Sequence, residues 1–424
     1  MTRSIPVLIL LVGKINGLID FDAGPESRLI HLFKEGIIMS NNFSRFKRTA
    51  IFLMGTAAIS LPSIATASWS IIGLGTLGGT YSTAQAINDS GQVVGNGNGA
   101  DRAFITGPNG VGMSYLDTLG GNRSYAADIN NAGQVAGYSV TADGFIHAFI
   151  TGANGAGMTD LGTLGGDYSI AYGINSAGQV VGVSSTADNA AYHAFITGPN
   201  GVGMTDLGVL GGDYSTAYSI NDAGQVAGVS STPDSTSQHA FITGPNGAGM
   251  TDLGTLSGTT HSIARDINNS GQVAGFSGFY DDFFGFYSAQ AFATGANGAG
   301  MAGLGALIDS RADSINDIGQ MVGGINNFCD FCNHSSFLYS DGVITDLSLL
   351  EPVVAAGWSE LSAVGINNHG QIVGWGHLEG SPGGGSRAFL LSPIVAVPEP
   401  MTYGMLLAGL GLLGFAARRR QQNV

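Results

Sequence analysis

Lysine is missing between Ser68 and Ile394, where five arginines stand against 25 aspartates and glutamates, a formal charge of −20 (5 − 25). Such a body repels phosphate backbones and anionic lipid, which excludes nucleic acid as a partner. Charged residues of either sign make up only 11% of the 424-residue chain. The exposed faces must therefore be wetted largely by Ser, Thr, Asn, Gly and Asp. Several motifs of catalysis are missing too. There is no G-x-S-x-G, no H-E-x-x-H and no P-loop, and no D-x-D-x-D-G loop for calcium. Glycine-rich stretches such as Gly107-Pro108-Asn109-Gly110 have no following helix to cradle phosphate. The reading is therefore of a chain that is not an enzyme, with no cofactor, no metal site and no catalytic residue.

Glycine, in contrast, is abundant, at 69 residues, and it recurs with a period. The phrase SINDAGQVAG, from Ser219, returns as AINDSGQVVG from Ala86, DINNAGQVAG from Asp128 and GINSAGQVVG from Gly173. It returns again as DINNSGQVAG from Asp266, SINDIGQMVG from Ser314 and GINNHGQIVG from Gly365. A three-residue hairpin loop is commonly a type I turn followed by a left-handed residue, a place glycine fills without a Cβ clash. Asp222-Ala223-Gly224 suits that loop. The register then sets Ile220 against Val226 and Asn221 against Gln225, giving one apolar face and one amide pair. The asparagine can also bond back to the turn backbone.

A full unit starts at His147 with HAFITGANGAGMTDLGTLGGDYSIAYGINSAGQVVGVSS. Its four expected strands are Ala148–Thr151, Met158–Leu164, a third ending at Ile174, and Gln179–Val183, with Asn154-Gly155 as a tight turn. The isoleucines at 87, 129, 174, 220, 267, 315 and 366 are 42, 45, 46, 47, 48 and 51 residues apart. Four strands in about 40–50 residues fit one blade of a propeller. The expected fold is all-β, a seven-bladed β-propeller. The chain opens on a second-type strand, Trp69–Leu77, and closes on Arg387-Ala388-Phe389-Leu390, so pairing of the two ends would close the ring and remove exposed edges. A β-solenoid of stacked hairpins is the alternative, but it needs polar capping repeats, and neither end has one.

His-Ala-Phe at 147, 193 and 239, followed by Thr-Asp-Leu-Gly and Gly-Gln-Val, resembles the HAF repeat of bacterial extracellular proteins. The resemblance spans about Trp69 to Leu391. It departs from pattern at Arg102, Gln290 and Arg387, which replace the histidine, and at Ser336, which replaces the alanine. It implies an extracellular location and brings no catalytic residues. Equivalent positions in a ring are spread around its axis, so these histidines are read as strand-edge residues satisfied by backbone. Asp117, Asp160, Asp206, Asp252 and Asp346 recur in like environments, which argues for turn or ladder bonding over paired acid chemistry.

Both ends carry addresses. Arg45, Lys47 and Arg48, the apolar run Ala50–Leu61 and Ala65-Thr66-Ala67 read as a signal peptide over residues 39–67, cut after Ala67. Translation is then expected to start at Met39, with residues 1–38 an upstream extension. At the other end (residues 395–424) stand Val397-Pro398-Glu399-Pro400, an uncharged run Met401–Ala417 and Arg418-Arg419-Arg420. The run is long enough for a short membrane-spanning helix, and the arginines belong on the cytoplasmic side. Motif, helix and basic cluster in this order resemble the PEP-CTERM sorting signal of Gram-negative bacteria. That resemblance implies an exosortase as processing partner, a membrane-anchored intermediate, and delivery to the cell surface or extracellular matrix.

The reading of function is thus a secreted, surface-sorted repeat protein, residues 68–394, acting as a non-catalytic binding or structural module with exopolysaccharide as candidate ligand. Its candidate ligand loop lies in Phe276–Ala289 and includes Tyr280, Phe283, Phe284, Phe286 and Tyr287, because aromatic faces suit sugar rings. The alternative is a polysaccharide lyase or hydrolase using the central channel, with Glu351, Glu360 and Glu379 as the acids to replace first. Cys329 and Cys332 form a local C-x-x-C pair that outside the cytoplasm is expected to be a disulfide. Thiol titration of the denatured, secreted protein should find no free thiol; two would reject the disulfide.

Overall fold

The seven-fold phrase forms the hairpin its turn residues dictate. Strands Ser215–Ile220 and Val226–Ser231 pair antiparallel with Ile220 opposite Val226, and Gly224 takes φ +76°. Asn221 Oδ1 accepts from the backbone N–H of Ala223 (3.1 Å) and of Gln225 (3.0 Å). Its Nδ2 donates to Gln225 Oε1 at 2.9 Å. The second glycine of the phrase has another cause. A Cβ on Gly228 would sit 2.1 Å from the Thr216 carbonyl and 2.8 Å from the Phe241 ring, so only glycine lets the paired backbone approach this closely beside the buried phenylalanine of the next strand.

A computed structural model describes residues 68–98, 101–233, 236–281, 285–305, 309–325, 335–381 and 384–394. Outside them lie the expected signal peptide with Ala65 and Ala67, the sorting tail with Val397–Pro400 and Arg418–Arg420, and Cys329, Cys332, Phe283 and Phe284. The described chain is all-β apart from short 3-10 turns and one brief helix, Glu351–Ala355. There are six sheets: five have four strands, and one of eight joins two four-strand units through a parallel bridge between Tyr168 and Ile146. A typical unit runs Gly165–Ile174, Val180–Thr186, Tyr192–Thr197 and Met204–Gly208, each strand antiparallel to the one before. The strand Ser68–Gly73 lies at the edge of the sheet that holds Arg387–Ile394, with Ser68 opposite Ile394 and Gly73 opposite Phe389.

Two local expectations need correction. The strand expected over Met158–Leu164 is only Thr159–Asp160, paired with Ile150 and Phe149; beyond it Asp160 Oδ1 accepts from the N–H of Gly162 at 2.8 Å, where φ is +71°. The Asn154-Gly155 turn is a longer loop, tied by Gly152 N–H to Ala156 O at 2.8 Å. It leans on the neighbouring turn of its own unit through Gly155 N–H to Gly133 O at 3.0 Å.

The core lies between adjacent sheets. Val181, Ala194 and Ile196 of one unit pack with Ala217, Ile220, Val226 and Phe241 of the next. The same arrangement joins Ala84, Val93 and Phe104 near the start of the body to Val373, Ala388 and Leu390 near its end. Polar ties run beside these apolar contacts. Each phrase asparagine donates through Nδ2 to the backbone carbonyl of the next: Asn88 to Asn130, then Asn175, Asn221, Asn268, Asn316 and Asn367. Asn367 then donates to Asn88 at 3.0 Å.

A serine tie runs in parallel. Ala194 N–H donates to Ser215 Oγ (2.8 Å), which donates to Gly208 O (2.6 Å). Ala388 does the same with Ser82. In one unit the partners are exchanged: Leu361 stands where the serine would be, and Ser336 Oγ accepts from Ala363 N–H and donates to Leu361 O. The serine at 336 that breaks the His-Ala-Phe pattern is therefore the same tie made from the opposite side.

Asn221→Ala deletes a buried amide that serves four hydrogen bonds, and orphaned buried groups cost about 1–3 kcal/mol each. Urea unfolding should show a loss of about 2–3 kcal/mol. Its exposed neighbour Asp222→Ala should lose clearly less.

Candidate functional site

Every innermost strand carries the same irregularity. The register skips one residue in all seven units, between Ala84 and Ala86, Ala126 and Asp128, Ala171 and Gly173, Ala217 and Ser219, Ala264 and Asp266, Ala312 and Ser314, and Ala363 and Gly365. A β-bulge turns a side chain out of the ladder and is often found beside binding sites. The leading alanine of each pair is buried. The skipped residue varies from unit to unit, with tyrosine alone used twice: Gln85, Ala127, Tyr172, Tyr218, Arg265, Asp313 and Val364.

These residues and, in six of the seven units, their C-terminal neighbours line one cavity of about 390 Å³, to which all seven bulged strands contribute, together with Arg311, Ser362 and Trp375. Arg311 Nε donates to Asp313 Oδ2 at 2.9 Å. Arg265 Nε lies 3.6 Å from Asp313 Oδ1, too far for a hydrogen bond, and both of those buried atoms are unpaired. The Arg265 guanidinium lies 4.9 Å from the centre of the Tyr218 ring, and Tyr218 packs on Tyr172 at 5.2 Å.

Two further aspartates tie neighbouring units together. Asp128 accepts from Ile129 N–H (2.8 Å) and, in the next unit, from Ile174 N–H (2.9 Å). Asp266 accepts from Ile267 N–H, Ser219 Oγ, Ile315 N–H and Ser314 Oγ. Burial pushes the Asp128 carboxyl up to about 7, against the pull of its two N–H donors. Burial also raises Asp266, opposed by its hydroxyl and backbone donors. The phenols of Tyr172 and Tyr218 are raised by burial as well.

The same seven isoleucines separate this cavity from a second of about 200 Å³, walled by the asparagine series and by Asp89, Asp222 and Asp317. The carboxylates there already accept from neighbouring units, as Asp317 does from Asn269 N–H and Asp89 from Asn368 N–H. A third cavity of about 370 Å³ is lined by Tyr81, Arg123 and the stacked pair Tyr125 and Tyr138, whose rings are 5.0 Å apart. Burial pushes Tyr125 up to about 12.

The residues singled out in the sequence lie elsewhere. His147, His193 and His239 do not rest on backbone; each Nδ1 pairs with an aspartate on the adjacent strand, Asp160 (2.8 Å), Asp206 (2.7 Å) and Asp252 (2.9 Å). Arg102 holds the same place against Asp117 at 3.6 Å, and Ser335 against Asp346 at 2.6 Å. Glu351, Glu360 and Glu379 are exposed and lie outside the 390 Å³ cavity. The aromatic stretch expected as an irregular loop is, in its described residues, an extension of two paired strands beyond a register shift between Ser277 and Phe279, with Phe279 opposite Tyr287 and Tyr280 opposite Phe286. Tyr280 is exposed beside His261, with ring centres 5.7 Å apart. Among the described residues, no three His, Cys, Asp or Glu side chains are placed to hold a metal.

Residues 396–420 match the family model of the PEP-CTERM protein-sorting motif. The match supports a chain that is exported, held at the membrane as a sorting intermediate, processed by an exosortase and delivered to the surface. No curated protein matches the chain in sequence. Among solved structures it is similar to the β-propeller domain of the Trilobed protease from Pyrococcus furiosus, at 8% identity and a TM-score of 0.49, over 76% of this chain and 100% of that one. It is also similar to a streptogramin B lyase, at 11% identity and a TM-score of 0.48, over 77% and 98%. A third is the acylaminoacyl peptidase of Pyrococcus horikoshii, at 9% identity and a TM-score of 0.45, over 73% of this chain and 52% of that one.

The expectation that the chain is not an enzyme is corrected here. The similar structures include that peptidase, a puromycin hydrolase and a Mycobacterium tuberculosis puromycin-hydrolyzing peptidase, so the comparisons overturn an exclusion of catalysis. The chain spans about half the length of these peptidases, and the likeness assigns no reaction to it.

Asp128 sets a pH dependence. Unfolded, it ionises near 4; folded, it keeps its proton to about 7. Within that window the unfolded chain binds fewer protons, so stability falls as pH rises from about 4 to 7 and levels off above. Urea melts at several pH values should show this slope in the wild type and a shallower one in Asp128→Ala.

Proposed function

We propose that residues 68–394 form a seven-bladed β-propeller of HAF-type repeats, closed by pairing of its first and last strands, which binds exopolysaccharide at the cell surface. A signal peptide over residues 39–67 would export it, and the 395–424 tail would hold it in the membrane by the 401–417 helix until processing. The cyclic order of the asparagine ties and the edge pairing of Ser68–Gly73 support the closed ring. One observation carries the binding reading: seven bulged strands turn unlike side chains, among them Tyr172, Tyr218, Arg265 and Asp313, into one shared cavity. Repetition builds the frame, and departure from repetition fills the cavity. Aromatic faces beside hydrogen-bonding and charged groups suit a ring bearing hydroxyls.

A second reading, a lyase or hydrolase acting on the same glycan, is favoured by Asp128. A carboxyl that keeps its proton to about 7 is matched to general-acid work at neutral pH.

Glycan-array binding followed by product analysis tests both readings. Tyr218→Ala should abolish binding at least tenfold more than Phe286→Ala does. The opposite order would move the site to the aromatic hairpin. New chain ends released by the wild type and lost in Asp128→Ala would establish turnover.

A further inference from the structure

The body has five arginines and no lysine, so the place of each cation is informative. Arg102 is paired with Asp117. Arg387 donates to the carbonyls of Thr80, Gly385 and Ser386. Arg123 lines the tyrosine cleft. The remaining two, Arg265 and Arg311, stand in adjacent units and line the same 390 Å³ cavity. They share one carboxylate, Asp313, whose Oδ2 takes the single hydrogen bond from Arg311 Nε. No other hydrogen bond from either guanidinium is made among the described residues.

The other two carboxylates at this cavity do not answer that charge. Asp128 and Asp266 turn their oxygens to backbone N–H groups and hydroxyls of their own and neighbouring units. Two guanidinium forks thus face three carboxylates around this cavity, but only Asp313 turns to them and it takes one hydrogen bond, so the terminal N–H groups of both forks are left without an acceptor among the described residues. Tyr218 beneath Arg265 steadies the plane of that fork, and planar forks match carboxylates in bidentate geometry.

We infer that the shared cavity recognises an acidic glycan, gripping the carboxylate of a uronic-acid residue between Arg265 and Arg311. This rests on the glycan-binding reading above and names the substrate class it takes. Long-range repulsion by the acidic body does not forbid it. At physiological ionic strength charges are screened beyond about 8 Å, while a contact ion pair is formed well inside that length.

The test is calorimetric titration of the full exported chain with short uronate oligomers of galacturonate, glucuronate and mannuronate. Each is paired with its methyl ester, which keeps the ring and removes the charge. At least one acid should bind tenfold or more tightly than its ester. Arg265→Gln and Arg311→Gln should each weaken that acid about tenfold, as expected for loss of one charge-assisted fork, while Arg123→Gln should leave it unchanged. Acid and ester binding equally, with both lost in Tyr218→Ala, would overturn the inference and leave the glycan reading standing. Absence of binding by these probes and by every neutral oligosaccharide would overturn both. If a glutamine variant fails to fold, the wild-type comparison of acid with ester decides the matter alone.

Discussion

The fold depends on what one asparagine per repeat does with its amide. Its Oδ1 accepts two N–H groups of its own turn, which fixes the hairpin. Its Nδ2 reaches the partner glutamine and the backbone of the next unit. Local turn and neighbour contact are therefore set by the same buried group. A polar side chain in such a place has to be satisfied completely, since a half-satisfied amide is worse than an apolar one. All four bonds form in six units and three of them at Asn316, and the series returns to Asn88 through Asn367. The apolar contacts between sheets are adaptable and non-directional. The amides supply direction.

Much of this could be read in the sequence, because it repeats. Asp222-Ala223-Gly224 announced its turn, and Ile220, Val226, Asn221 and Gln225 fell into the expected register. What could not be read was the second glycine. The need for Gly228 comes first from the Thr216 carbonyl across the bulged pair, and then from the ring of Phe241, contacts between strands that turn chemistry does not specify. The exchange of Ser336 and Leu361 was equally hidden, since each looks like a lone departure until the two are seen to touch.

The cavity was missed for a related reason. The acids and histidines that do recur, His147 with Asp160, His193 with Asp206 and His239 with Asp252, clasp adjacent strands outside the cavity. The residues that meet at the shared cavity come from positions that vary from unit to unit. A signal was nevertheless present. Two places before each isoleucine, the chain reads Gln85, Ala127, Tyr172, Tyr218, Arg265, Asp313 and Val364, while the residue just before each of these is alanine in every unit. One freely varying position inside a strict frame is what a shared site built from unlike repeats should produce. The bulge that aims these residues has no composition of its own, so their convergence needed coordinates.

The last described strand has a mechanical side. Arg387–Ile394 lies between Ser68–Gly73 and Ile372–Leu378, hydrogen-bonded along both flanks, and the sorting motif begins at residue 396. Any pull on the tethered tail is thus delivered first to a strand gripped on both sides, where many bonds must slip together before one can part. The first described strand, Ser68–Gly73, then serves as a clamp on the last.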